Sequence, residues 1–323
     1  MKKYILFFAV FAFIFSSCLV EEGQSSSGGP SSPRASSNGI EISFVDGAPP
    51  NSIYVEGGVN NNVNFEVVVD IRNRGSYPRN ELGSLNGRLY LSGFDQNIIR
   101  NGVWNDGNQF NKLEGVSSTF PDGGFMQKSF VASDIYYPFD SREYPLDLLL
   151  TACYYYETEA TGIACVDPSP GSPGDKVCRL GIVNLDPQRA PVKVTRVEQT
   201  GDSRNLYVTI DIANRGSGTV LREFLTDGGG VVSDNQCLGN LQGKTDFVGV
   251  KATIVGVGDG NCKPSGSSQD PVRLYNGQGR IYCTFPLPQD VTSAYTTQMK
   301  ITLQYGYLET VRNRISLVNT AAR

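Results

Sequence analysis

The sequence contains no histidine. That removes the commonest general base near neutral pH together with the commonest transition-metal ligand. A Ser-His or Cys-His nucleophile is impossible, so any catalysis would rest on Asp, Glu, Ser, Tyr, Lys or Cys alone. No G-x-S-x-G, P-loop or dinucleotide fingerprint occurs either, which removes the usual markers of acyl transfer and nucleotide chemistry. Carboxylates exist in number, but nothing in the sequence brings two of them to the separation a glycosidase needs. No C-x-x-C is present, and together with the missing histidines this disfavours a zinc site. Net charge is −4 with no basic stripe, so the electrostatic footprint of a nucleic-acid binder is missing. No Asn-x-Ser/Thr acceptor for N-glycosylation occurs. These gaps point away from an enzyme and from a cofactor.

What is abundant points to strands. Glycine (36) and proline (17) are plentiful, tyrosine and phenylalanine supply 16 each, and methionine is scarce. That balance favours short strands joined by turns over long helices. At 323 residues the chain has length for two ordinary domains.

The N-terminus reads as an export signal. Lys2 and Lys3 precede an apolar run over residues 5–15 that is too short for a comfortable membrane span. Ser16 and Ser17 then lead into Cys18. Residues 1–18 resemble a lipoprotein signal peptide, with Phe15 where such signals usually carry Leu. The resemblance implies that Cys18 is acylated and becomes the new N-terminus, placing the protein outside the cytoplasm on a membrane. An ordinary cleaved signal, or a short uncleaved anchor through Val20, is the alternative. Residues 19–39, rich in Ser, Gly and Pro and without apolar periodicity, are expected to form a flexible tether.

Beyond the tether one phrase is written twice: "NFEVVVDIRNRGS" at 64–76 and "NLYVTIDIANRGS" at 205–217, offset by 141 positions. Alternation places Val67, Val69 and Ile71 on one side of a strand, with Val68, Asp70 and Arg72 on the other. Val208, Ile210 and Ile212 take the inward positions in the second copy, and Ile40, Ile42 and Phe44 mark an opening strand. Asn73 with Gly75, and Asn214 with Gly216, are expected to end their strands through the positive φ that tight turns require. A second match aligns "YYYETEATGIACVD" (154–167) with "GYLETVRNRISLVN" (306–319) at an offset of 152. The expected organisation is all-β: two diverged immunoglobulin-like β-sandwich domains in tandem, at 40–168 and 190–319, joined by a linker over 169–189. Asp70, Arg74, Asp211 and Arg215 read as turn decoration.

The strand-then-Asn-x-Gly phrase is similar to immunoglobulin-like modules of bacterial and archaeal surface proteins, notably the CARDB type. The resemblance implies an extracellular spacer or binding module. Its partner would be another surface protein or a cell-wall or host glycan. A structural subunit of an envelope assembly is the second reading, and a carboxylate-based glycan-active enzyme the third.

Six cysteines remain: Cys153, Cys165, Cys178, Cys237, Cys262 and Cys283. An even count in an exported chain favours three disulfides. A hairpin turning near Glu159 would set Cys153 opposite Cys165, with Cys165–Cys178 as the rival. Cys262 and Cys283 flank one loop, and Cys237 is able to pair with either. For a ligand platform the candidates are Trp104, the lone tryptophan, in a polar loop at 101–124, and the tyrosine-rich segments carrying Tyr136, Tyr137, Tyr154 and Tyr156. Asp and Asn oxygens in the same loop suit Ca²⁺ chemically, but their spacing matches no EF-hand-like loop.

Overall fold

A computed structural model describes residues 34–35, 39–61, 63–79, 85–102, 108–222, 237, 243, 245–264 and 271–321. Among these residues the chain is all-β. The first half supplies β1 (Arg34–Ala35), β2 (Ile40–Phe44), β3 (Ser52–Val55), β4 (Asn60–Asn61), β5 (Phe65–Asn73), β6 (Leu85–Ser92), β7 (Ile99–Gly102), β8 (Asn108–Leu113), β9 (Phe125–Tyr136) and β10 (Glu143–Val166). The second supplies β11 (Val192–Gly201), β12 (Asn205–Asn214), β13 (Thr219–Leu221), β14 (Phe247–Ile254), β15 (Gly258–Asp259), β16 (Asn261–Lys263), β17 (Val272–Arg273), β18 (Gln278–Pro286) and β19 (Tyr295–Asn319).

Three sheets result. One belongs to the first half, in the order β1-β2-β5-β9-β4 with β7 also on β9, and one to the second half, β11-β12-β18-β16. The third runs β15-β14-β19-β10-β6-β8 and draws on both halves, with β13 and β3 also paired to β19 and β17 to β14. Between the named strands, pairing is antiparallel except where β3 lies parallel to the end of β19. The expected inward residues are buried: Ile40, Ile42, Phe44, Val67, Val69, Ile71, Val208, Ile210 and Ile212. Alternation is the cause, since each small sheet has one solvated face and one apolar face that must be covered.

The shared sheet does that covering. β10 and β19 pair without a break from Glu143↔Val318 to Val166↔Tyr295. One face of each is buried along nearly its whole length: Leu146, Leu148, Leu150, Ala152, Tyr154, Tyr156, Ala160 and Ala164 on β10, and Met299, Ile301, Leu303, Tyr305, Tyr307, Val311, Ile315 and Leu317 on β19. Each strand therefore serves both halves. The far end of β10 joins the second half, where Gln199 of β11 exchanges two hydrogen bonds with the Cys165 backbone and Thr158 Oγ1 donates to Val192 O. The far end of β19 joins the first, where it pairs with β3 and the Ser316 N–H donates to Asn51 O. The buried residues of both halves form one continuous apolar cluster from Ile40 to Leu317. Residues 40–168 and 190–319 are thus connected through a common sheet as well as through the chain between them. That connection is itself ordered: the Val183 N–H donates to Val197 O, Gln199 N–H to Gly181 O and Asp186 N–H to Thr161 O.

The expected hairpin does not turn near Glu159, because β10 continues straight through it to Val166. The segment is rich in Thr, and its one glycine, Gly162, is needed for proximity rather than for bending: a Cβ there would lie 2.7 Å from Asn184 O.

The doubled phrase produces the same hydrogen bonds twice. Asn73 Oδ1 accepts the Gly75 N–H at 3.0 Å while its Nδ2 donates to Tyr77 O at 2.7 Å. Asn214 Oδ1 accepts the Gly216 N–H at 3.1 Å and its Nδ2 donates to Gly218 O at 2.9 Å. Neither Asn nor either Gly adopts positive φ. The asparagines are required as side-chain hydrogen-bonding groups that mimic a backbone turn, which corrects the φ-based expectation. The two turns then meet the central strands. The Ile40 N–H donates to Tyr154 Oη and Val192 N–H to Tyr305 Oη, while Tyr77 N–H donates to Tyr156 Oη and Gly218 N–H to Tyr307 Oη. Tyr154 therefore corresponds to Tyr305 and Tyr156 to Tyr307, a spacing of 151. The gapless match at 152 is one residue out of register, misled by a coincidental Tyr-x-Glu-Thr.

Candidate functional site

The disulfides are Cys153–Cys237, Cys165–Cys178 and Cys262–Cys283. The second is the rival pairing and the third the loop-flanking pairing expected from sequence. Cys153–Cys165 is excluded by the unbroken β10, which sets the two cysteines twelve residues apart along one extended strand. Cys153–Cys237 links the two halves, on the sheet face away from the main core, where both pack with Tyr90, Leu221 and Leu308. Three disulfides fit an oxidising, extracytoplasmic setting. No helix among the described residues is long and apolar enough to cross a membrane. Cys18 and Trp104 lie outside the described residues.

The expected tyrosine platform is dispersed. Tyr154 and Tyr156 are buried with Tyr305 and Tyr307 in a four-ring cluster, with neighbouring centroids 5.8–6.3 Å apart. They face inward because even positions of β10 face the covering sheets. Desolvation raises the phenol pKa of Tyr156, Tyr305 and Tyr307 above the usual value, so the hydroxyls stay neutral and act as fixed hydrogen-bonding groups. Tyr137 is also buried and its Oη donates to Ser141 O at 2.9 Å. Tyr136 is half-buried, with Arg100 Cζ 4.2 Å from its ring centroid. These positions form a core and a cation–π contact.

The surface features gather instead around the second copy of the phrase. A depression of about 770 Å³ opens between the Asn214–Gly216 turn and the β17–β18 hairpin. The hairpin turns on Asn276 (φ 51°) and Gly277 (φ 73°), the left-handed pair that a two-residue hairpin favours. The Asn214 N–H donates to Gly277 O, fixing the two walls together. Arg215 comes from the turn, Arg273 from β17, Tyr275 from the hairpin, and Asp211 and Arg280 from facing positions on β12 and β18.

Charge in the depression is unbalanced. Arg280 Nε and Nη2 donate to the two carboxylate oxygens of Asp211 at 2.6 and 3.1 Å, a two-pronged pair that saturates the one carboxylate among the described lining residues. Nearby Glu198 is engaged by Arg196 at 2.9 Å. Arg273 stacks between rings, its Cζ 5.4 Å from the Tyr275 centroid and 5.7 Å from that of Phe247. Arg215 makes no side-chain hydrogen bond or ion pair to a described residue. The first copy has no excess of cations at the same places: Arg74 pairs with Glu41 at 2.6 Å, and Asp70 accepts from uncharged Gln127 at 2.9 Å. Lys193 stands in the second half where Glu41 stands in the first, so Arg215 has lost its counter-charge. Gln127 is matched by Arg280, which adds another cation.

An aromatic surface adjoins the depression. Tyr207 and Tyr282 stack with centroids 5.9 Å apart and an interplanar angle of 17°, on the same outer face as Asp211 and Arg280. Tyr282 is 46% exposed and Tyr275 70% exposed. These rings were not singled out from sequence; the signal available was Tyr282 two places after Arg280 in a strand, which puts both on one face.

Two smaller depressions flank the first copy of the turn, one including Arg79 and Glu114, the other Arg79 and Arg189. Neither has a pair of carboxylates among its described lining residues. Among the described residues no group of three metal-ligating side chains converges. The chain matches no protein-family model and no curated protein.

Proposed function

We propose that the protein is a non-enzymatic binding module of the cell surface, held to a membrane through a lipid on Cys18 and raised from it by the residues between Cys18 and β1, whose pairing with β2 ends the expected tether before Arg34. Its body is read as two diverged copies of one immunoglobulin-like sandwich, on the strength of the recurring Asn–Gly and Tyr hydrogen bonds. The observation that carries the reading is the open arginine and tyrosine surface on the second half. Among the described residues it pairs exposed rings and uncompensated guanidinium groups with no nucleophile–base arrangement, and a chain without histidine has few ways to build one. The three disulfides support export, and the shared sheet gives a stiff support on which a surface contact is held in place.

Two measurements test this. Intact mass of the protein purified from membranes should show a diacylglyceryl addition at Cys18; an unmodified mature chain would defeat the anchor. Protease treatment of intact cells should digest the body, and protection until the cells are lysed would defeat surface location. A structural subunit of an envelope assembly would instead form concentration-dependent oligomers in sedimentation experiments.

A further inference from the structure

We infer that the depression at Arg215, Arg273 and Tyr275, continued by the Tyr207–Tyr282 surface, binds a carboxylate-bearing polysaccharide of the uronic acid kind. The inference names the ligand class for the binding module proposed above and rests on that reading.

Three features favour this chemistry. The first is charge: among the described residues the lining holds three guanidinium groups against one carboxylate, which Arg280 already satisfies. Arg215 and Arg273 are left to meet an external anion, and guanidinium matches a carboxylate with two parallel N–H donors. The second is preparation. Arg273 is held by two rings, so it loses less freedom on binding than a solvent-swept side chain would. The third is the company of aromatic faces. A sugar ring lays its C–H face on a tyrosine, and exposed Tyr275 and Tyr282 lie on either side of the Asp211–Arg280 pair. Rings and cations alternating along an open surface fit a chain of acidic sugars. A compact phosphate would use the cations and leave the rings idle.

Duplication supplies an internal control. The equivalent turn of the first half carries Arg74 neutralised by Glu41 and Asp70 bonded to Gln127, so the same fold without the charge excess is present in the same molecule.

The test uses the whole chain in detergent micelles, with oligogalacturonate, its methyl ester and polyphosphate as probes in calorimetric titrations. Oligogalacturonate should bind, the neutral ester should not, and affinity should fall as salt is raised. Arg215→Ala and Arg273→Ala should each weaken binding about tenfold or more, as expected for a lost charge-assisted pair. Tyr282→Ala should weaken it about several-fold through lost stacking. Arg74→Ala should leave it unchanged. Equal binding of the ester, wild-type affinity in both arginine variants, or no binding of oligogalacturonate would overturn the proposal. Polyphosphate binding as tightly as the uronate would overturn it too, assigning the cations to phosphate. These titrations do not depend on location, so their failure is distinct from a failure of the cell-fractionation and mass measurements.

Discussion

Tyr154 and Tyr305 accept the same backbone hydrogen bond in opposite halves of the molecule: Ile40 N–H to one at 3.3 Å and Val192 N–H to the other at 3.2 Å. Both residues lie on the paired central strands, and their neighbours Tyr156 and Tyr307 tie down the two Asn–Gly turns. The buried tyrosines are thus where each small sheet is fastened to the sheet both share.

The hydroxyls should be measurable as stability. Tyr156→Phe leaves the Arg189 carbonyl and the Tyr77 N–H without this partner, and Tyr305→Phe does the same to Val192 N–H and Thr158. Each should cost about 1–3 kcal/mol in urea unfolding, because the groups left behind are wholly or partly buried. The rings of Tyr156 and Tyr305 are 6.0 Å apart, so the double variant should depart from additivity. Two near-neutral variants would remove the hydroxyls from the account.

The turn asparagines should behave alike despite their distance in sequence. Asn73→Ala removes three hydrogen bonds, to Gly75 N–H, Tyr77 O and Leu113 O, and Asn214→Ala removes those to Gly216 N–H, Gly218 O and Tyr307 Oη. A loss of about 1–3 kcal/mol is expected from each. Asn73→Asp should be no better than Asn73→Ala, since a carboxylate would face the Tyr77 and Leu113 carbonyls. Rescue by Asp would show that the Oδ1 acceptor alone matters.

Local pattern was legible in the sequence where period alone decides it. Val67, Val69 and Ile71, with Val208, Ile210 and Ile212, could be assigned inward because a strand has a period of two. The all-β class followed from similarly local signals, which left Cys165–Cys178 and Cys262–Cys283 as two among several open pairings. Partnership was not legible. Nothing in "ETEATGIACV" distinguishes a hairpin from half of a long strand, because that depends on whether β19 lies alongside. The tyrosines of "CYYYE" put one face in a core and offer the other as a platform, and strand period alone does not say which face the covering sheets occupy. Arg74 and Arg215 read alike in the sequence, as turn decoration. The difference rests on Glu41 having become Lys193, a contrast visible only once the two strands are superposed in register.

The shared sheet makes a direct prediction about cutting the chain. A protease site inserted after Gly171, in the exposed part of the Cys165–Cys178 loop, should be cleaved without separating the halves. After the disulfides are reduced, both fragments should still co-elute on size exclusion, held by the continuous pairing from Glu143↔Val318 to Val166↔Tyr295. Denaturant should be needed to part them. Separate elution of the folded fragments would mean that each half closes its own core.

On the outward face of the same sheet, Asp147 of β10 receives hydrogen bonds from two arginines of β19, Arg314 Nε at 2.8 Å and Arg312 Nη2 at 2.5 Å. Those bonds, Arg314 first, hold its carboxyl down from the ordinary 3.8 to about 2. A carboxylate whose folded pKa is depressed contributes its stability in full above the ordinary value and loses it as pH falls through the folded one. The interaction should therefore be intact at neutral pH, weaken below 3.8 and be lost only as pH falls below about 2. Carboxyl ¹³C shifts followed from pH 6 downward should give a midpoint for Asp147 of about 2. Arg314→Ala and Arg312→Ala should each raise that midpoint toward 3.8, and added salt should do so partially, because the site faces solvent. A wild-type midpoint at 3.8 or above would mean that the two guanidinium groups do not hold this carboxylate in solution.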